Sequence, residues 1–320
     1  MRYISIPQTD LSVSAICMGT VFFGSAVSTE DSFRIMDRFW EYGGNFFDTA
    51  RIYGNGQPGV EPSPSEKTIG KWLRARGLAN AAVIATKGGH PPKNGGRPTL
   101  GREELTRQAE ESCQNLCLDV IPLYYLHRDD TEVSVEYIMD TLFSLQDRGI
   151  VKHLGCSNWT ADRIIKANSY AQANGRVGFA AVSNRWSLAE YALGVGDPTL
   201  VDMNSELYKM HTETGIAAIP FSSTAGGYLS KLVSGSEIRP SANERYGLPE
   251  NIILADRAKK LADDKKVTVA QIALAYFYTH PFTAVPVTAF SNDSQMTEAI
   301  GAASIQLSNE EALYLSGKYR

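Results

Sequence analysis

From about residue 30 onward the chain alternates helix-length amphipathic segments with short β-rich runs, and each run ends in Gly, Asn or a polar side chain. A strand that is repeatedly followed by a helix before the next strand builds a parallel sheet. Eight runs read as strands: near Ala15 to Met18, Asn45 to Phe47, Val83 to Thr86, Ile121 to Leu126, His153 to Cys156, Phe179 to Val182, Ile216 to Pro220 and Ala284 to Val287. Helices are expected between them, such as Thr29 to Tyr42 before Gly43-Gly44 and Ser134 to Arg148 before Gly149, with polar starts and glycine stops. Ahead of the first run, Arg2 to Ile6 and Leu11 to Ser14 flank Pro7-Gln8-Thr9-Asp10 and read as a hairpin that can plug a barrel floor.

No linker rich in Pro, Gly or Ser divides the 320 residues, so the expected architecture is one (β/α)8 TIM barrel over residues 1–320, with an N-terminal β-hairpin and extra C-terminal helices. A dinucleotide-binding doubly wound sheet is disfavoured because no strand is followed by GxGxxG opening a helix. The longest irregular stretches, Gly88 to Arg102 and Ser222 to Pro249, follow strands at the end where barrel active sites sit. A net charge of −4 and 21% charged residues give no basic face for nucleic acid and no polybasic membrane patch. MRYISIPQTD has no apolar signal core and no apolar run approaches a membrane span, so a cytoplasmic protein is expected. Of the four cysteines, only Cys113 and Cys117 are close, without metal-ligand spacing, and they are expected to pack as small apolar groups on a helix.

Three successive runs end in ionisable groups: Asp48 and Tyr53 in FFDTARIYGNG, Lys87 in VIATKGG and His127 in IPLYYLH. A phenol is a poor acid at neutral pH unless an ammonium stabilises its phenolate, and a carboxylate beside the ammonium keeps it charged and in place. Asp48, Lys87 and Tyr53 have that chemistry, and His127 can aim an imidazole N–H at a substrate oxygen. The set can move a proton to or from an oxygen on carbon, but holds neither a hydride donor nor a metal; carbonyl reduction would require a nicotinamide.

The motifs FDTARIYGNG, IATKGG, YYLHRDD, RGIVKHLGCSNW, PFSSTAGGYLS and SNDSQMTEAIGA run in order over nearly the whole chain, which on these grounds resembles the aldo-keto reductases, in the branch of bacterial reductases and potassium-channel β subunits. The resemblance implies that Tyr53 is the general acid/base, that Lys87 and Asp48 tune it, and that His127 positions the carbonyl. It implies that Ser157 and Asn158 bind the nicotinamide carboxamide, that Phe221 stacks on the ring, and that Ser222, Gly226 and Gly227 wrap the pyrophosphate. Ser291, Gln295 and Glu298 would cradle the adenosine end, and Gly19, Thr20 and Asp48 would also touch the dinucleotide. Two departures stand out. Ser183-Asn184-Arg185 replaces the usual strand 6 Gln, leaving Ser183 or Asn184 to complete the carboxamide grip; Ala289 and Gln295 stand where many members place Lys and Arg for the 2′-phosphate. Arg245, or else Arg239, is the candidate replacement, giving NADP(H) as the expected cofactor and NAD(H) as the alternative.

Candidate substrate walls are Phe22, Phe23, Tyr53, His90, Trp159 and Trp186, aromatic surfaces suited to flat or apolar carbonyl compounds or to sugar faces. With the chain ending at Arg320, soon after SNEEALYLSGKY, a more open pocket is expected than in members with a longer closing loop. The expected partner is a small carbonyl or alcohol substrate, with no nucleic acid, membrane or metal. Two other readings compete. One is a cofactor-binding regulatory subunit with slow chemistry and a protein partner; the other is a Schiff-base aldolase using Lys87, which would need a depressed lysine pKa.

Overall fold

The hairpin pairs β1 (Tyr3–Ser5) antiparallel with β2 (Ser12–Ser14), Ile4 facing Val13. Eight parallel strands follow: β3 (Cys17–Gly19), β4 (Phe46–Asp48), β5 (Val83–Gly88), β6 (Ile121–Leu126), β7 (Val151–Cys156), β8 (Phe179–Val182), β9 (Ala217–Ala218) and β10 (Val287–Thr288). From β3 to β9 each strand pairs with the next in sequence, and β10 pairs with β3. Ala218 closes the ring by donating to Thr283 O at 2.8 Å and accepting from Val285 N–H at 2.9 Å, while Val287 N–H donates to Pro220 O at 2.9 Å. The chain is thus a (β/α)8 barrel with an N-terminal hairpin, here a computed structural model describing residues 1–92, 95–316 and 318.

Strand periodicity sorts the side chains into two cores. Phe46, Ala85, Leu123, Tyr125, Ala181 and Ala217 point into the barrel, where Ile6, Leu11 and Val13 of the hairpin segment join them as the floor. The alternate residues Phe47, Ile84, Tyr124 and Leu126 face the helix layer. Fitting Tyr125 inside depends on β7: a Cβ on Gly155 would lie 2.4 Å from its ring.

Helices cover the outside, among them Thr29–Glu41 after β3, Pro64–Arg76 after β4, Arg102–Leu116 after β5 and Val135–Asp147 after β6. The expected spans Thr29 to Tyr42 and Ser134 to Arg148 differ only by their caps: the Ser28 and Ser134 hydroxyls accept from the N–H groups of Asp31 and Tyr137, and Tyr42 and Arg148 are C-caps. Strand bounds shift more at the ring closure. Ile216 to Pro220 narrows to two residues, and Ala284 forms only an isolated bridge to Ala218. The stretch Ser222 to Pro249, expected to be irregular, carries helices Tyr228–Ser234 and Pro240–Tyr246. Cys113 lies on its helix, but Cys117 is that helix's left-handed C-cap. Positions 93 and 94 of the loop Gly88 to Arg102, and 317, 319 and 320 of the C-terminal segment, lie outside the described residues. No described helix is long and apolar enough to cross a membrane.

Candidate active site

The two-residue strand repeat places three ionisable groups at one mouth of the barrel. Asp48 follows inward Phe46 on β4, Lys87 follows inward Ala85 on β5, and His127 follows inward Tyr125 just past β6. Tyr53 joins them from the turn after β4, where its N–H donates to Ala50 O at 3.0 Å. Lys87 Nζ is the hub. It donates to Asp48 Oδ1 and Oδ2, each at 2.6 Å, to Thr49 O at 2.9 Å, and to Tyr53 Oη at 3.0 Å. Tyr53 Oη in turn lies 3.4 Å from Asp48 Oδ1 as a donor. The His127 ring sits edge-on to Tyr53, 5.8 Å between centroids, and to His90, 4.8 Å away.

Burial governs the protonation states. It opposes the Lys87 ammonium, but the Asp48 carboxylate and then Tyr53 outweigh it and hold Lys87 above the usual lysine range. Burial raises Asp48, with Lys87 opposing. Tyr53 is pushed up to about 12, since burial outweighs the ammonium beside it; the free site therefore holds a phenol, whatever pull Lys87 exerts toward phenolate. Burial, then Lys87, His90 and Arg128, keep His127 well below the ordinary histidine range, so its imidazole is neutral at physiological pH.

These groups line a cavity of about 410 Å³ that also includes Gly19, Ser157, Asn158, Phe221, Ser222 and Gly226. Ser157 Oγ donates to Ser183 O at 2.6 Å. Asn158, in the left-handed region at φ 60°, spends both amide hydrogens on His127 O (3.2 Å) and Ser157 Oγ (2.9 Å). Its Oδ1 accepts from Val201 N–H at 3.1 Å. A primary amide meeting this pair finds only acceptor capacity, on Ser157 Oγ and Asn158 Oδ1. Asn184 is likewise occupied, accepting from Asn158 N–H at 2.6 Å and donating to Trp159 O at 3.0 Å. The buried Ser183 hydroxyl has no partner, but Ser183 does not line that cavity; His127 Nδ1 is also buried and unpartnered. Beyond Phe221 the loop turns through left-handed Ser222, Ala225, Gly226 and Gly227, with the Ala225 and Gly227 N–H groups closing on Ser222 O and Thr224 O at 2.8 Å. The acceptor capacity at Ser157 and Asn158, with Phe221, Ser222 and Gly226 lining the same cavity, fits a nicotinamide dinucleotide.

Several expected contacts fall elsewhere. Thr20 is fully buried, its hydroxyl donating to Asp48 O at 2.8 Å and meeting Ser65 Oγ at 2.9 Å, so it braces strand ends instead of facing the cavity. The left-handed turn at Asn158 sends the chain outward, and Trp159 packs in the helix layer, edge-on to Phe179 at 5.2 Å. Trp186 packs against Phe277 at 4.9 Å and borders a separate cavity of about 570 Å³. Phe22, the mostly buried Phe23 and Ser291 line a third cavity, of about 420 Å³, that adjoins the catalytic one at Gly19, Val21 and Ala289. His90 touches His127 but does not line the catalytic cavity. Gln295 accepts from Ser291 N–H at 2.9 Å, and half-buried Glu298 gives its carbonyl to Gln271 at 3.1 Å; neither lines that cavity. Arg245 and Arg239 are exposed and also lie off it. Gly227 borders a small neighbouring pocket.

The sequence reading passed over Thr49, whose carbonyl takes a Lys87 hydrogen, and Arg128, which lines the cavity. Arg128 donates to His127 O at 2.9 Å, Thr199 Oγ1 at 2.9 Å and Asp197 at 3.2 Å, tying the loop after β8 to the site. Both adjoin motif residues, Thr49 in FFDTAR and Arg128 in LHRDD, the one signal that could have found them.

A model of the Aldo/keto reductase family matches residues 15–320. Norsolorinic acid reductase stcV of Emericella nidulans is 29% identical, over 95% of this chain and 78% of that protein. The uncharacterized oxidoreductase YrpG of Bacillus subtilis is 27% identical, over 97% of this chain and 93% of its own. The solved structure of the thermostable aldo-keto reductase Tm1743 covers 99% of both chains with a TM-score of 0.73 at 18% identity.

Proposed function

The chain belongs to the aldo/keto reductase family, and on that premise we propose that it is an NADP(H)-dependent oxidoreductase that reduces an aldehyde, ketone or sugar carbonyl to an alcohol. The carrying observation is one ammonium, Lys87 Nζ, held at 2.6 Å by Asp48 and 3.0 Å from the phenolic oxygen of Tyr53. When bound, the nicotinamide supplies the hydride. Tyr53 gives its proton to the carbonyl oxygen, and the phenolate left behind lies beside the Lys87 charge, which stabilises it as it forms. Asp48 keeps that charge in place. His127, neutral, carries one ring N–H that can orient the carbonyl oxygen.

Ser157 and Asn158 would take the carboxamide NH2 as acceptors. Phe221, Ser222 and Gly226 would carry the ring and pyrophosphate. The preference for NADP(H) over NAD(H) is narrow, because Ala289 and Gln295 stand where many members place Lys and Arg, and the candidate replacements Arg245 and Arg239 are exposed and lie off the catalytic cavity. A Schiff-base role for Lys87 is opposed by the same carboxylate, which favours the ammonium.

Tyr53→Phe tests the reading. Fluorescence titration should show NADPH and NADH binding as in the wild type, with NADPH the tighter, while carbonyl turnover falls about 10²–10⁴-fold, the usual worth of a positioned acid. Wild-type turnover in this variant would overturn the mechanism, and tighter NADH binding would overturn the cofactor preference.

A further inference from the structure

We propose that Ser65 and Glu66, in the first turn of the helix Pro64–Arg76, are positioning residues that set the Asp48–Lys87–Tyr53 geometry from behind the barrel wall. The proposal rests on the function proposed above for that site. Both residues are fully buried, and neither touches the catalytic cavity.

Ser65 Oγ donates to Thr20 O at 2.8 Å and meets Thr20 Oγ1 at 2.9 Å and Thr49 Oγ1 at 2.8 Å. Thr20 Oγ1 spends its hydrogen on Asp48 O, so the Thr49 hydroxyl is the one left to donate to Ser65. Thr49 is the residue whose carbonyl takes a Lys87 hydrogen at 2.9 Å. Ser65 thereby fixes the backbone of Asp48 through Thr20 and the third ligand of Lys87 through Thr49. Glu66 grips the next strand. Its Oε1 accepts from Thr86 Oγ1 at 2.6 Å, one residue before Lys87, and its Oε2 from Asn115 Nδ2 at 3.0 Å. Two consecutive side chains thus hold the ends of β3, β4 and β5. The loop bearing Tyr53 is tied to the same helix start, where Ser63 N–H donates to Asn55 Oδ1 at 2.6 Å.

Loss of the clamp lets the Thr49 carbonyl drift from Lys87 and Lys87 drift from Tyr53. A phenolate with a more distant ammonium is harder to form, so the pH limb assigned to Tyr53 moves to higher pH. Ser65→Ala and Thr49→Val each remove one hydroxyl of the relay. Expected are a kcat lower by about tenfold, from misplacement well short of an ångström, an alkaline shift of that limb, and unchanged KM and dinucleotide Kd. Glu66→Leu should behave alike, and Glu66→Gln, which keeps an oxygen for Thr86, should recover most of the turnover.

Thermal melts are recorded for every variant. A lowered Tm with a wild-type pH limb in the folded variants would overturn the proposal, since a purely structural brace predicts that outcome. Thr49→Val changes least volume and carries the test if Ser65→Ala does not fold. Tyr53→Phe, assayed in parallel, separates the two failures: if it stays active, the reading of the site is wrong; if it is inactive while the clamp variants keep the wild-type limb, only the clamp is wrong.

Discussion

Two carboxylates are buried on opposite faces of β5, and they are satisfied in opposite ways. Asp48, on the inward side, holds the Lys87 ammonium at 2.6 Å. Glu66, on the outward side, forms no ion pair among the described residues; Thr86 and Asn115 give it neutral hydrogen bonds at 2.6 and 3.0 Å, and Arg51, itself paired with Glu111, adds only the weakest pull. Burial raises the pKa of both, but at Asp48 an opposing ammonium is the next influence, whereas at Glu66 the opposing groups are donors led by Thr86. The inward arrangement keeps a separated charge pair ready beside a phenol. The outward one gives strand β5 a strong acceptor at Thr86.

The largest effect that could break this contrast is removal of one charge from the inward pair. Asp48→Asn strands the ammonium of Lys87, which is 3% exposed, in the barrel mouth. Breaking a buried pair from one side costs about 3–5 kcal/mol, and turnover should fall with it because Lys87 loses its anchor. Urea unfolding and steady-state kinetics measure both; an Asp48→Asn protein of wild-type stability would show that the pair is not the electrostatic centre claimed for it. Glu66→Leu ranks next. It leaves the donors of Thr86 and Asn115 without acceptors, at about 1–3 kcal/mol for each that stays unsatisfied, and no stranded charge. If it destabilised more than Asp48→Asn, the outward carboxylate would be the more deeply committed of the two.

The inward set was legible in the sequence because Asp48, Lys87 and His127 each stand where an apolar run stops, the end at which barrel active sites gather. The clamp was not. Ser65 and Glu66 stand just inside a helix start after Pro64, where polar residues ordinarily serve the helix itself, and only the packing of that helix against three strand ends turns them inward. Trp159 was misplaced for a related reason. Whether a residue two positions past Ser157 faces the mouth or the helices depends on the left-handed turn at Asn158, and no glycine marked it. Thr20 sat in the right turn, but its hydroxyl is spent on Asp48 O, a contact between strands that local sequence does not encode.

The smallest and sharpest comparison is the pH dependence of Glu66→Gln. Glutamine removes the charge but keeps one oxygen for Thr86, so at neutral pH the change in stability should be modest, about 1 kcal/mol or less, since no ion pair among the described residues is broken. The folded pKa of Glu66 lies above its ordinary value of 4.5. A group raised on folding contributes stability that is fully present below its unfolded pKa and is lost as pH rises through its folded pKa, because over that window the folded chain holds a proton that the unfolded chain has released. The wild type should therefore gain on Glu66→Gln as pH is lowered from 8 toward 4.5, and the gap between their melting temperatures should change in that direction. Asp48→Asn cannot serve as the matching control, since it changes Lys87 as well. Melting the two proteins across that range decides the point: a gap that moves the opposite way would mean that a charge partner outweighs burial at Glu66, and the contrast between the two faces of β5 would collapse.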